Sequence, residues 1–228
     1  MRRVLARFNF SCILTGNRPQ SLTCHTATVV RHARKIRPMK EVLNKYLIDN
    51  SHLTSQERDV ILDCFFYLKI RKNDFWIRKG EICRHLVFVN DGTLRIINEI
   101  NEIESTVQLV FKNSFTSSLT SFAYQIPSLW SIQALTDCDL LLIDRDNHFK
   151  LISEFKNWLE VDNVLLLLAY TELESRLFSQ HHLSAEQRFS KLFTERPEIF
   201  NQVSLKYIAS SLGITPETLS RLRKRHLK

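Results

Sequence analysis

Glycine is scarce in this sequence, with four residues among 228. A serine nucleophile in a Gly-x-Ser-x-Gly turn cannot occur, because no two glycines stand close enough together. The three glycines after residue 38 are Gly80, Gly92 and Gly213, and each marks a place where we expect the chain to turn.

Paired cysteines are also lacking, since the five cysteines are scattered and no Cys-x-x-Cys is present. Cys12 and Cys24 lie in the first 38 residues, while Cys64, Cys83 and Cys138 have the wide spacing of buried core thiols. We therefore expect no metal, no cofactor and a reducing, cytoplasmic location.

Long hydrophobic runs are missing as well. The longest apolar stretch, Val164–Tyr170, is far shorter than the roughly 18 residues that a membrane span needs. We expect no membrane among the partners.

Acidic residues are absent from the first 38 positions, which hold eight Lys and Arg. This leader therefore carries a charge equal to the net +8 of the chain, and residues 39–228 sum to zero. Its Arg-rich, Ser/Thr-containing composition resembles a mitochondrial transit peptide. The amphipathic pattern after Met39 favours a second interpretation, in which Met39 is the native start and the leader comes from a misassigned one. A basic DNA-binding arm is the third.

The middle of the chain changes from helical to strand patterns. Residues 40–69 are predicted to be helical, and Thr54 followed by Glu57 is typical of a capping box. Residues 70–145 contain short apolar strands separated by turns: Phe75–Ile77, Leu86–Val89, Leu94–Ile97, Thr106–Phe111 and Leu140–Ile143. Asp91-Gly92 predicts a hairpin turn, and residues 98–102 form a further polar turn. This pattern favours a small β-barrel or jelly roll.

Residues 149–180 predict one long helix that is apolar on nearly every side over part of its length. One face can lie on the β domain, which leaves another for a second chain. The leucines that we assign to a dimer helix are Leu159, Leu166, Leu173 and Leu177. A core helix of a monomer is the alternative. His181-His182 ends the helix, and Ser184 begins another.

The last residues predict a helix, a short turn with Gly213, and a second helix that begins at Pro216. Leu205, Ile208, Ala209 and Leu212 share one face of the first helix. This arrangement is the helix-turn-helix pattern.

The second helix has a polar face suited to reading DNA. Leu219 and Leu222 are expected to point inward, and Glu217, Ser220 and Arg221 outward towards base edges. Residues 206–228 hold six bases against one acid, a local charge of +5. The side chains that we assign to phosphate contacts are Ser204, Thr215, Arg223, Lys224 and Arg225. A solvated basic tail is the alternative explanation of this charge.

Residues 39–228 resemble the cyclic-AMP receptor protein/FNR family of bacterial transcription regulators. The stretch from Tyr207 to Lys224 resembles the family's helix-turn-helix signature, and Ser184–Phe189 resembles the first helix of that domain. Arg78–Glu81 and Leu86–Arg95 resemble its β-roll, and the composition resembles the branch found in Bacteroidetes.

The resemblance implies an α+β protein with a jelly-roll sensor domain, a long dimerisation helix and a winged-helix-like DNA-binding domain. FNR-like members use Glu, Ser and Arg on the recognition helix, which match Glu217, Ser220 and Arg221. RNA polymerase is an implied partner. The expected boundaries are a leader at 1–38, the sensor at 39–148, the dimer helix at 149–182 and the DNA-binding domain at 183–228.

Two departures from the family pattern matter. The sequence has no glycine between Gly92 and Gly213 and no arginine between Arg95 and Arg145. It therefore lacks the close-approach glycine and bidentate arginine that would hold a cyclic phosphate, and we predict that it does not bind cyclic AMP. Few residues follow the second helix, so the β wing is predicted to be absent or rudimentary. The effector stays unknown.

Two other functions compete with the regulator. A cupin-like metal enzyme would set His ligands on neighbouring strands, often as His-x-His, but residues 70–145 hold only His85. We therefore expect no enzyme. A ligand-free interaction protein, whose roll only supports the dimer, is the other alternative.

Overall fold

The computed structural model describes residues 33–226. It begins with helices α1 (Ala33–Asn50) and α2 (Ser55–Asp63). Most of the expected leader, residues 1–32, lies outside the described range, and α1 already runs through Met39. The capping box at Thr54 is confirmed: its hydroxyl accepts from the Glu57 N–H at 3.3 Å, and the Glu57 carboxylate accepts from the Thr54 N–H at 2.7 Å.

Eight strands within residues 33–226 form two four-stranded antiparallel sheets. The first sheet has the order β1-β8-β3-β6 and the second β2-β7-β4-β5. The strands and the short helix between β6 and β7 are β1 (Phe66–Ile70), β2 (Phe75–Ile77), β3 (His85–Asp91), β4 (Leu94–Ile100), β5 (Ile103–Val110), β6 (Ser114–Thr116), α3 (Leu119–Tyr124), β7 (Ser131–Ala134) and β8 (Cys138–Asp144).

The helical prediction for residues 40–69 was wrong at its end, because residues 66–70 form β1. This strand pairs with β8, placing Phe66 opposite Leu142 and Ile70 opposite Cys138. Pairing with a strand 68 to 76 positions away in the chain outweighs the local helical pattern.

The hairpin predicted at Asp91-Gly92 was also wrong, although the chain does turn there. β3 pairs with β8 and β6, whereas β4 pairs with β5 and β7, so the turn carries the chain from one sheet to the other. Gly92 has φ +97°, and a Cβ at this position would lie 2.6 Å from both the Asp137 carbonyl oxygen and Cys138 Sγ. The turn therefore needs glycine for its conformation and for its close approach to the start of β8.

A two-residue hairpin joins β4 to β5. Asn101 and Glu102 both have positive φ, and Ile100 pairs with Ile103 across the turn. The polar turn predicted over residues 98–102 is therefore shorter than expected, and the strands extend into it on both sides.

The main core lies between the two sheets and is closed by α1. Leu43 and Leu47 of α1 are fully buried with the apolar side chains of β3 and β8. Tyr46 packs at 5.5 Å, between ring centroids, from both Phe88 and Phe115. The first helix is thus part of the β-roll core.

The single helix predicted over residues 149–180 is instead two helices, α4 (Arg145–Glu154) and α5 (Lys156–His182). Phe155 separates them with an extended backbone at φ −124° and ψ +107°. The break lets α5 begin in a new direction, with Trp158 and Val161 buried in the roll core. The predicted end at His182 is confirmed.

Four further helices complete the described chain: α6 (Ala185–Glu195), α7 (Ile199–Gln202), α8 (Leu205–Ser211) and α9 (Pro216–His226). The Ser184 start is confirmed by a capping box with Gln187. These helices share a second apolar core, which also takes in Leu109 and Leu135 from the roll. None of the helices in residues 33–226 is both long and apolar enough to cross a membrane.

Candidate nucleic-acid interface

The turn between α8 and α9 is fixed by the backbone. The Gly213 N–H donates to the Ser210 carbonyl and the Ile214 N–H to the Ala209 carbonyl, both at 3.0 Å. This pair of bonds is the Schellman motif, which places a residue of positive φ after the helix, and Gly213 has φ +64°. Thr215 then accepts from the Thr218 N–H at 3.3 Å and caps α9.

Apolar residues lock the two helices together. Ile208 and Leu219 are fully buried, and Leu222 nearly so. Beneath them Phe189 of α6 packs at 5.5 Å from Phe200, between ring centroids. The inward positions predicted on both helices therefore form the second core, and the opposite side of α9 is left to solvent.

The solvent face of α9 carries the residues predicted to read bases. Glu217 and Arg221 are exposed and Ser220 is half-buried. The pKa of Glu217 lies below its ordinary value, because its own backbone N–H and the Thr215 hydroxyl donate to the carboxylate and Arg221 lies nearby. At neutral pH this face thus presents an ionised acceptor beside a guanidinium donor.

The residues predicted to meet phosphates differ in their surroundings. Ser204 is exposed and its hydroxyl makes no cap bond to α8, whereas the Thr215 hydroxyl is used in the cap of α9. Arg223 donates to Asn201 at 3.1 Å, and Arg225 lies 3.8 Å from Glu186. Lys224 is exposed, with no hydrogen bond or ion pair recorded among the described residues.

Three contacts in this region were not foreseen from the sequence. Lys206, exposed at the start of α8, lies with its ammonium 4.7 Å from the ring centre of Tyr207. The other two are the hydrogen bond from Arg223 to Asn201 and the exposed ion pair of Arg225 with Glu186. The local charge of +5 signalled the basic residues but could not show which of them are already paired.

The long helix α5 exposes an apolar surface in the single chain. Only Trp158 and Val161 of its 27 residues are buried. The four leucines predicted for the dimer helix are between 39% and 48% exposed: Leu159, Leu166, Leu173 and Leu177. Val164, Leu167, Leu168, Tyr170 and Phe178 of the same helix are exposed too.

The sequence between Gly92 and Arg145, which lacks the glycine and arginine expected for a cyclic phosphate, includes α3, and serine hydroxyls around α3 are already paired. Ser128 donates to Ser118 at 2.8 Å, and both are buried. Ser121 accepts from the Cys83 N–H at 2.8 Å and donates to the Ile126 carbonyl. The hydroxyls of these three serines therefore take part in hydrogen bonds within the fold.

Cys83 and His85, a cysteine and a histidine two positions apart, do not form a metal site. The Cys83 thiol donates to the His85 carbonyl at 3.4 Å, and the His85 ring packs against Phe66. Within residues 33–226, no three His, Cys, Asp or Glu side chains are grouped as metal ligands would be.

Comparison with known proteins identifies the fold. Residues 67–155, from β1 to the end of α4, match the cyclic nucleotide-binding domain family. A search of the curated proteins found no match. The resemblance of the roll inferred from sequence is thus confirmed at the level of the domain.

Several solved structures are similar to the chain. FixK2 from Bradyrhizobium japonicum is 16% identical with a TM-score of 0.59, and the match covers 71% of this chain and 83% of that one. The c-di-GMP-responsive global regulator CLP of Xanthomonas campestris is 15% identical with a TM-score of 0.60, over 76% and 92%.

A transcriptional regulator of the CRP/FNR family from Eubacterium rectale is 19% identical with a TM-score of 0.60, over 79% and 87%. At these identities the likeness establishes the fold: a cyclic nucleotide-binding β-roll followed by helices, as in regulators of this type.

Proposed function

We propose that the chain is a sequence-specific DNA-binding transcription regulator that reads a near-palindromic site as a homodimer. The observation that carries this proposal is the solvent face of α9. Glu217, Ser220 and Arg221 lie together on a rigid helix whose opposite side is buried by Leu219 and Leu222. The CRP/FNR-type fold of the similar structures supports it.

The chemistry of this face fits the major groove. Arg221 can donate in a fork to guanine O6 and N7, the ionised Glu217 can accept from cytosine N4, and Ser220 can serve either. Lys224, Ser204 and the α9 N-terminus at Thr215 would contact phosphates. Arg223 and Arg225 would also bind phosphate oxygens, in place of their contacts with Asn201 and Glu186.

The homodimer would form through α5. The apolar side chains exposed along this 27-residue helix are unfavourable in water. A second copy of the chain that packs against α5 would cover them. In such a dimer the two α9 helices enter successive major grooves, about one helical turn apart.

The roll is proposed to be the sensor domain, with boundaries near residues 39 and 148, followed by the dimer helix to 182 and the DNA-binding domain from 183. The paired serines around α3 favour a sensor that does not take cyclic AMP. RNA polymerase as partner, a cytoplasmic location and the lack of enzymatic activity belong to the same proposal.

The test is selection of bound DNA from a random pool, followed by fluorescence anisotropy on the selected duplex. Arg221→Ala should cost about 1–3 kcal/mol and relax preference at one base position, while Lys224→Ala should weaken all sequences alike. Lys45→Ala on α1, exposed and far from α9 in the sequence, is the matched control and should change neither. Failure to enrich any sequence, or unchanged preference in Arg221→Ala, would contradict the proposal.

Isothermal titration with cyclic AMP tests the sensor. We expect no binding heat, because Arg145, the arginine that contacts α3, already donates to the Phe122 and Ala123 carbonyls. The hydroxyls of Ser118, Ser121 and Ser128 are also engaged in hydrogen bonds within the fold. Binding in the micromolar range would overturn this part.

A further inference from the structure

The last strand of the second sheet, β5, has its free edge covered by the helices that follow the roll. The Thr106 N–H, which points away from β4, donates to the Ser210 hydroxyl of α8 at 2.8 Å. The Val107 carbonyl accepts from Arg176 of α5 at 3.0 Å. Both helices therefore satisfy backbone groups that an uncovered edge would leave open.

Arg95 of β4 lies at the centre of this contact. It is 3% exposed, and its guanidinium donates to Gln133 at 2.8 Å and to Glu104 at 2.7 Å. These two bonds from the same sheet fix the plane of the fork. On one side of that plane lies the ring of Tyr207 on α8, whose centre is 4.0 Å from the guanidinium carbon. An arginine so held stacks on an aromatic ring in a single orientation.

The contact between the roll and the C-terminal helices also has an apolar part. Leu109 and Leu135 of the roll are buried in the same core as the C-terminal helices. Beside them the Thr106 hydroxyl is buried without a partner among the described residues. Buried polar groups, one of them without a hydrogen-bond partner, are more typical of an interface between domains than of the core of one domain.

Docking leaves the DNA-reading face free. The side of α8 that holds Tyr207 and Ser210 faces the sheet, while Glu217, Arg221 and Lys224 of α9 face solvent. The docked arrangement therefore presents the α9 surface outward and holds it at a fixed distance from α5.

We infer that Arg95 is a positioning residue for DNA binding: by stacking on Tyr207 it holds α8 on the edge of β5 and so sets the spacing of the two α9 helices in the dimer. The inference rests on the proposed function. A change in the roll that rotates the Arg95 guanidinium would therefore move α8 directly, without any movement of α5. Release of the contact would weaken DNA binding, because each α8–α9 pair would have to be ordered at the moment of binding.

Two variants remove the stack from opposite sides, and each has a matched control. Arg95→Met keeps the length and apolar stem of the side chain, and Tyr207→Leu removes the ring. Tyr207→Phe keeps the ring and should therefore behave like the wild type. Arg78→Met is the arginine control, since Arg78 is exposed and its guanidinium carbon lies 3.8 Å over the ring of Phe75 within the roll.

Two readouts are taken on the full chain. Hydrogen exchange at the Thr106 amide reports the docking directly, because its acceptor is Ser210. Anisotropy on the selected duplex reports DNA affinity. Arg95→Met and Tyr207→Leu should speed the exchange and weaken affinity at least about tenfold, and Tyr207→Phe and Arg78→Met should stay within about twofold of wild type. The double variant should be no worse than either single one, because both remove the same contact.

The outcomes separate this inference from the function on which it rests. Unchanged exchange at Thr106 in both stack-removing variants would overturn the role of Arg95, and faster exchange with unchanged affinity would overturn positioning. If the wild type enriches no DNA, the proposed function fails, and the exchange data still decide whether Arg95 holds α8 in place.

Discussion

Replacing Gly92 by alanine combines two energetic costs, backbone strain and steric overlap, and a comparison with Gly80 separates them. At φ +97° an alanine is strained, which costs about 1–3 kcal/mol. Its Cβ would also lie 2.6 Å from the Asp137 carbonyl oxygen and from Cys138 Sγ, so the start of β8 must move, at a further cost of about 1–3 kcal/mol. Gly80 is the matched control, since its φ is +90° and no atom lies within 4 Å of an added Cβ. Gly80→Ala therefore carries the strain alone.

Urea unfolding followed by tryptophan fluorescence measures the difference. The three tryptophans, at positions 76, 130 and 158, all report on the roll core or its rim. Gly92→Ala should lower the free energy of unfolding by about 2–6 kcal/mol and Gly80→Ala by about 1–3 kcal/mol. Equal losses in the two variants would refute the argument from close approach, and no loss in either would refute the argument from backbone strain.

Three further predictions concern pH, reactivity and assembly. The pKa of Glu57 is lowered, chiefly because its carboxylate accepts from the Thr54 N–H, so its ionised form stabilises the fold above the ordinary carboxyl range. Glu57→Gln should therefore reduce stability at pH 7, and urea titrations should show the gap to wild type closing as the pH falls below that range towards the lowered pKa. Burial raises the pKa of the Cys138 thiol to about 11. Iodoacetamide at pH 8 should therefore label this thiol only after unfolding, as measured by peptide mass spectrometry. Labelling of Cys138 in the native protein would contradict its buried position. Leu166→Glu should convert the proposed dimer to monomer in analytical ultracentrifugation. Leu129→Glu changes an exposed leucine outside α5 and should leave that dimer intact.

The features that could be read from the sequence are those fixed by neighbouring residues. The capping box at Thr54, the helix ends at His182 and Gly213, and the outward face of α9 all follow from spacings within one or two turns. Each involves backbone groups and side chains that are close in the chain, so local chemistry is enough to place them.

The features that could not be read depend on contacts across the fold. Asp91-Gly92 indicates a turn but not that the chain passes to another sheet. The apolar pattern continues through Phe155, so nothing local marks the break between α4 and α5. The stack of Arg95 on Tyr207 joins residues more than a hundred positions apart, and a single arginine in a strand pattern is usually solvent-exposed.

The way α1 closes the roll decides which part of this chain could be transplanted as a module. The family match begins at residue 67, but Leu43, Leu47 and Tyr46 fill the end of the core between the sheets, and Trp158 fills another part of it. A chimaera that contained only the matched segment would expose the core side chains that α1 and α5 normally cover, and it would be prone to aggregate. The exchangeable unit is therefore larger than the matched segment: it extends upstream through α1 and downstream into the first turns of α5.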